Sequence, residues 1–356
     1  MTYKGKFIVK IFKALTLVIF LNISFSSCSQ QSTPVSNSIQ DQILYLGNGT
    51  EPQDLDPHIV TGVPEHKILL ALIEGLVVAH PEGKGYLPGV AERWEVSDDG
   101  KEYFFYLNEN ARWSNGDRVT AEDFVYSWKR ILMPTTAAIY AYMLYVVENA
   151  EAFNRGDIDD FSQVGVQAID QNTLRVSLKN STPYFLSLLS HYSTWPVHKQ
   201  TIEKFGRIDS RGTAWTRPGN FVGNGPYTLT EWKLNDVIIV KKNLNYWNAD
   251  TVSIKEIRFF ASDNETSEDY RYRSGQLHLL NSIKVTKIQS YKEKYSDQIH
   301  IDPYYGTYYY RINVTNKALS DKRARQALSY AINRKEIVEA VSRGEQSPAF
   351  SFTPPD

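Results

Sequence analysis

Apolar and polar positions along the 356 residues follow two periods, and the switches between them predict the elements. Ile68, Leu69, Leu72, Ile73 and Leu76 recur at helical spacing, which predicts a helix over Pro64–Val78 that ends near Gly75 and Pro81. Trp94 to Ser97 and Tyr103 to Leu107 flank Asp98-Asp99-Gly100 and predict a hairpin. Val166–Ile169 and Leu174–Leu178, around Asp170-Gln171-Asn172, predict a second. Thr120 reads as an N-cap, with Glu122 and Asp123 in the first turn before Phe124, Val125 and Trp128. A short strand is predicted from Gln42 to Leu46, and a helix starts in Pro183–Leu189. Strands dominate Tyr227–Phe260 around a turn at Asn243–Asp250. Tyr304–Val314 reads as a strand of period two, with Tyr305, Thr307, Tyr309 and Arg311 on one face and Tyr304, Gly306, Tyr308 and Tyr310 on the other. Ser320-Asp321 caps a helix with Ala324, Ala327, Leu328, Ala331 and Ile332 on one face. Helices and strands alternate without the strict rhythm of a dinucleotide-binding domain, so the class is mixed α/β.

The amino-terminal pattern is different. Lys4, Lys6, Lys10 and Lys13 precede a short apolar run, Ala14–Phe25, broken by Asn22 and too short for a membrane span. Small residues then lead to Cys28, the only cysteine, which cannot form an internal disulfide. Residues 1–27 therefore read as a lipoprotein signal peptide resembling the bacterial lipobox type, with Cys28 the lipidated residue. A plain secretory signal with an incidental Cys28 is the alternative. Ser29–Gln40 is polar, contains Pro34, and reads as part of a flexible tether over residues 28–41.

A net charge of −1 gives no electrostatic basis for nucleic-acid binding. The chain has no glycine-rich phosphate loop and no GxSxG elbow, and beyond Cys28 no thiol, so no enzyme set and no cofactor are expected. His58 and Glu65-His66 fit no zinc spacing and read as polar surface residues on a loop, so no metal is expected. The 23 tyrosines suit a recognition surface, although most would simply pack sheets and interfaces.

Several blocks run in one order along the chain: Glu51-Pro-Gln-Asp-Leu-Asp-Pro-His58, Glu74-Gly75-Leu76, Pro88-Gly89-Val90-Ala91-Glu92, Ala111-Arg112-Trp113-Ser114-Asn115-Gly116-Asp117, Thr120–Trp128, Asn224-Gly225-Pro226-Tyr227, Asn245-Tyr246-Trp247, Tyr272-Arg273-Ser274-Gly275, Tyr308-Tyr309-Tyr310 and Arg323–Leu328. In these the chain resembles the oligopeptide-binding family of periplasmic solute-binding proteins, the peptide/nickel class. The resemblance implies a periplasmic-binding-protein-like, two-lobe fold with an extra domain. It places lobe I at 42–73 and 198–305, the extra domain II at 74–197, and the start of lobe III at 306–356. Relatives are longer, so the C-terminal lobe is expected to be incomplete, without the aspartate that grips a ligand's amino terminus.

The resemblance further implies an oligopeptide held extended by backbone hydrogen bonds, handed to the permease of an ABC transporter in the cell envelope, by a periplasmic, membrane-anchored monomer. The peptide contacts it implies are Thr61, Gly62, Val63, Tyr140, Tyr272, Tyr304, Gly306, Thr307, Tyr309 and Arg311. Thr61 stands where most relatives carry an acid. Arg311 stands where the best-studied type has one, and would favour acidic ligand groups or else form a structural ion pair. Other solutes stay open: a dipeptide, a murein peptide, haem or a nickel complex. So does a non-binding envelope protein with an interaction role.

Overall fold

The computed structural model describes residues 32–302, 306–343 and 346–354. The signal-peptide and Cys28 readings, and Tyr304, lie outside the described residues. Two compact units divide between Asn281 and Ser282.

The first unit opens with helix α1 (Pro34–Asp41), followed by β1 (Ile43–Gly49) and α2 (Val63–Leu72). The short strands β2 (Val77–Ala79) and β3 (Tyr86–Pro88) pair with each other. A four-stranded antiparallel sheet has the order β4 (Ala91–Val96), β5 (Glu102–Leu107), β7 (Thr173–Ser177), β6 (Val166–Ala168). In β5, Tyr103, Phe105 and Leu107 are buried, as period two requires of a half-covered sheet. Helix α3 (Ala121–Leu132) lies against this sheet and buries Phe124, Trp128, Ile131 and Leu132 along one stripe. Asp123 accepts from the Thr120 N–H at 2.8 Å, which fixes where α3 begins. Helices α4 (Ala150–Arg155), α5 (Phe185–Leu189) and α6 (Lys199–Phe205) follow. The second sheet has the order β1, β10 (Glu256–Ala261), β9 (Val237–Lys242), β8 (Tyr227–Lys233); β1 and β10 run parallel and the other pairs antiparallel. Helix α7 (Glu265–Arg273) closes the unit.

Two apolar cores result. One gathers residues from Leu76 to Leu189 around Phe105, Trp113 and Trp128. The other gathers Leu55–Ile73 and Tyr192–Phe259. The chain crosses between them at 73–76 and again at 189–192.

Helix α3 carries the seam between the cores. Its Arg130, fully buried, donates from Nη1 to Asp56 Oδ1 at 2.8 Å and from Nη2 to Asp56 Oδ2 at 2.6 Å. It also donates to the Ile208 and Ser210 carbonyls and to His58 Nδ1. With Nδ1 accepting, the His58 proton sits on Nε2 and is donated to the Trp195 carbonyl at 3.1 Å. Burial alone would raise the Asp56 pKa, but Arg130 and then His58 hold it below the usual range. Burial and the Arg130 charge push His58 down to about 4. Ser127 Oγ accepts from the Val197 N–H, and Trp128 Nε1 donates to the Thr194 carbonyl. Three residues of α3, Ser127, Trp128 and Arg130, thus hold the second core's chain.

Four expectations need correction. The helix expected over Pro64–Val78 stops at Leu72, because the Leu72 carbonyl accepts from the Gly225 N–H and Ile73 is extended. The 223–225 loop approaches so closely that a Cβ on Gly223 would lie 2.1 Å from the Leu72 oxygen. Residues 34–41 of the expected flexible tether are helical: Thr33 and Ser36 cap one another and Pro34 takes the first turn. His58 is buried, not a surface residue. Finally, residues 306–313 form no strand.

The second unit, by itself, contains α8 (Ile288–Lys294), α9 (Lys322–Tyr330) and α10 (Arg334–Ala340). Among its described residues no strand offers a ladder for 306–313, so the period-two pattern has nothing to pair with. Gly306, Tyr308, Tyr309, Tyr310 and Arg311 are exposed there and Thr307 is half-buried. Asp321 caps α9, which ends at Tyr330, short of Ala331 and Ile332; no residue of α9 is buried.

Removing one partner of the buried pair leaves the other charge in an apolar seam. Arg130→Met should therefore cost ~3–5 kcal/mol of unfolding free energy, read by urea denaturation at pH 7. Because the folded Asp56 pKa is lowered, its contribution is present above the ordinary carboxyl range and fades as pH falls through the folded value.

Candidate functional site

The network that fixes Asp56 and His58 also sets the start of the next stretch, Thr61-Gly62-Val63. Val60 is buried and its carbonyl accepts from the Tyr192 hydroxyl at 3.2 Å. One residue later the chain surfaces: Thr61 is exposed and Val63 is 62 % exposed. The Thr61 carbonyl accepts from the Tyr140 hydroxyl at 3.4 Å, a long bond, and the Gly62 carbonyl accepts from the His66 N–H. The Thr61 and Gly62 amides have no hydrogen-bond partner among the described residues. Gly62 is extended (φ −95, ψ 156). An extended, exposed edge with unused donors can add a strand of another chain.

Gly62 leaves room for a neighbouring carboxylate. A Cβ there would lie 2.0 Å from Glu65 Oε2. Glu65 is buried, and its Oε1 accepts from the Gln53 N–H at 2.7 Å, tying the edge to the loop before Asp56. Its Oε2 has no partner among the described residues.

Behind the edge lies a group of rings. His191 stacks on Tyr192 at 4.2 Å and meets Tyr140 edge-on at 4.9 Å; His66 lies 5.2 Å from Tyr192 and 6.2 Å from His191. Burial and then His66 push His191 down to about 4, and burial lowers His66. The His191 ring is therefore neutral near pH 7, with Nδ1 accepting from the Ser193 N–H. Burial, then Tyr140 and Glu65, raises the Tyr192 phenol, which stays protonated and able to donate. The result is an uncharged aromatic wall beside free backbone amides. It could hold an extended chain through its main chain without demanding a particular side-chain charge.

The structure thus brings Thr61, Gly62, Val63 and Tyr140 together. Tyr272 sits half-buried on α7. Gly306, Thr307, Tyr309 and Arg311 belong to the second unit. Sequence reasoning missed Glu65, His191 and Tyr192 as parts of this region. The only available signal was Glu at the third position after a glycine N-cap.

Next to this wall, the 73–76 crossing carries a buried carboxylate. Glu74 accepts from the Tyr246 hydroxyl and, at 2.7 Å, from Trp247 Nε1. Its main chain exchanges two hydrogen bonds with the Asn224 amide. Gly75 presses on Trp195, where a Cβ would fall 2.4 Å from the indole. Burial raises Glu74 to about 7 although both donors oppose the shift. Among the described residues no set of three His, Cys, Asp or Glu side chains could hold a metal ion, and no helix is long and apolar enough to cross a membrane.

Comparisons with known proteins bear on this arrangement. The model for bacterial extracellular solute-binding proteins, family 5 Middle, matches residues 85–356. The periplasmic oligopeptide-binding protein OppA of Escherichia coli K12 is 41 % identical over 319 residues, 89 % of this chain and 57 % of that protein. The periplasmic murein peptide-binding protein MppA of the same strain is 34 % identical over 341 residues, 95 % of this chain and 61 % of that one. Haemophilus influenzae OppA, crystallised in complex with RPPGFSPFR, superposes with a TM-score of 0.82 at 36 % identity, covering 88 % of this chain and 60 % of that one. The chain spans about three-fifths of the length of these relatives.

Glu74 gives a pH dependence of definite sign. Its carboxyl titrates near its ordinary 4.5 when unfolded and about 7 when folded, so its stabilising contribution is full below about 4.5 and is lost as pH rises through 7. Relative to Glu74→Gln, the native chain should lose about 3 kcal/mol between pH 4.5 and 8. Urea midpoints of both proteins across that range check this; parallel curves would contradict it.

Proposed function

The chain belongs to the bacterial extracellular solute-binding proteins of family 5, and we propose that within that family it captures oligopeptides in extended conformation for delivery to the permease of an ABC transporter. The observation that carries this reading is the Thr61–Val63 edge, whose free amides stand before the neutral Tyr140, His191 and Tyr192 rings. A peptide carbonyl can accept from such amides whatever its residue, so affinity is spread over the main chain and specificity stays broad. Tyr140 contributes an apolar face with a hydroxyl at its rim. The named ligands of two relatives, an oligopeptide and a murein peptide, support the same ligand class.

In this reading lobe I takes residues 42–73 with 198–305 and the extra domain II takes 74–197; the core of Leu55–Ile73 and Tyr192–Phe259 falls mostly in lobe I, and the core of Leu76 to Leu189 falls in domain II. Tyr272, Tyr304, Gly306, Thr307, Tyr309 and Arg311 are kept as further peptide contacts on the strength of sequence resemblance. Cys28 carries the lipid that holds the protein in the cell envelope. Haem and nickel complexes are less well supported, since the His66–His191 pair is closed in by rings and no metal-holding cluster exists among the described residues.

The purified chain, incubated with a mixed library of di- to pentapeptides and a murein tripeptide, should retain peptides of varied composition in native mass spectrometry and melt at higher temperature with them. Retention of the murein tripeptide alone would narrow the ligand. No retained peptide and an unchanged Tm would sink the reading.

Gly62→Ala supplies a sharper test. The new methyl must displace the Glu65 carboxylate and with it the edge, so peptide affinity should fall roughly tenfold, about 1.4 kcal/mol, by calorimetry. Unchanged affinity in a folded variant would remove Thr61–Val63 from the binding site.

A further inference from the structure

Helix α1 is held at both ends and along its length. Before it, Thr33 lies against Gly275, where a Cβ would come within 2.7 Å of the Thr33 hydroxyl; Gly275 also has φ +70, open to glycine. The Val35 N–H donates to the Gly275 carbonyl at 3.0 Å. His278 accepts from the Tyr45 N–H at Nδ1, so its proton sits on Nε2 and goes to Ser38 Oγ at 2.8 Å. Ser38, in turn, is buried and donates to the Val35 carbonyl. After the helix, the Gln42 carbonyl accepts from the Lys255 N–H.

This docking changes the reach of the anchor. A free chain from Cys28 to Gln42 could extend roughly 46–50 Å, but from Cys28 to the fixed Thr33 it can extend only about 17 Å. The surface around the docked helix suits a bilayer interface. Ile39 is 87 % exposed on α1 and Tyr270 is 63 % exposed on α7. A shallow cavity of about 420 Å³ is lined by Thr266, Ser267, Tyr270 and Arg271 of α7 and by Gln276. A guanidinium there matches a phosphate headgroup.

We propose that α1 is an orienting element, which holds the Gly275–His278 edge of the first unit against the headgroups of the leaflet that carries the acyl chains of Cys28. The proposal rests on the lipid-anchor part of the reading above. The carboxyl-terminal end of β1 and the start of α2 then keep a fixed attitude to the membrane, instead of tumbling on a tether.

The full lipidated chain, with Gln276→Cys labelled by a donor dye, is reconstituted in phosphatidylethanolamine–phosphatidylglycerol vesicles carrying a headgroup acceptor; the thioether at Cys28 blocks labelling there. Energy transfer should be high. It should drop at least twofold when fifteen Gly/Ser residues are inserted after Gln31, and again with Ser38→Pro, which breaks α1. Transfer indifferent to both changes overturns the orientation. Recovery of the protein in the soluble fraction, with no acyl mass on Cys28, overturns the anchor and the orientation with it. Hydrogen exchange on soluble Cys28→Ser isolates the docking: slow exchange at Val35 is expected, and exchange at the free-peptide rate would refute the docked helix.

Discussion

The bidentate pair between Arg130 and Asp56 is the interaction on which the first unit depends. Two opposite charges taken out of water gain little by mere proximity; the arrangement is favourable only when the remaining donors are also satisfied. Here two carbonyls and His58 Nδ1 take them. The pair lies between a helix of one core and a loop of the other, so it makes the packing of each core conditional on the other. It also leaves His58 neutral and pointed at the Trp195 carbonyl, and that bond locates the aromatic group on which the Thr61 edge rests.

How much of this could be read from the residues follows from the range of the forces involved. The hairpins at 91–107 and 166–177 were legible because alternation and a turn are local. So was the start of α3, because a Thr cap and an Asp three residues on act within one turn. Arg130 was not legible: its position on α3 reads as a solvent-facing cation, and only a partner 74 residues away makes it a core residue. His58 was misread for the same reason. The composition of Ser29–Gln40 suggested disorder, yet Thr33-Pro34 is also a helix start, and the decisive contacts come from Gly275 and His278. The 304–314 pattern shows the opposite failure. Alternation marks a capacity to pair, and among the described residues of the second unit no strand is present for 306–313 to pair with.

The candidate site was partly legible, and only through resemblance. Thr61, Gly62 and Val63 carry no chemical motif, because what they offer is main chain. A site made of amides leaves no fingerprint in side-chain types beyond a glycine. The fingerprint lies in the neighbours: Glu65 fills the space of an absent Cβ, and Tyr192 secures the preceding carbonyl. Neither role can be read without the fold, since Tyr192 comes from the far side of a second core crossing.

The placement of that edge at the seam has a consequence for binding. An edge on a free loop would have to lose its conformational freedom when a ligand pairs with it, and that cost subtracts from affinity. Here the freedom has already been removed. Asp56, His58 and Val60 are held from within, Gly62 is wedged by Glu65, and Glu74 and Gly75 clamp the adjacent crossing against Asn224, Tyr246 and Trp195. Folding has therefore met most of the ordering cost before any ligand arrives. The same argument explains why a carboxyl as poorly solvated as Glu74 is tolerated: its two donors come from one loop, and they join that loop to the crossing next to the aromatic wall. Broad recognition through amides needs such rigidity, since side-chain contacts that vary from one peptide to the next cannot be relied on to organise the protein.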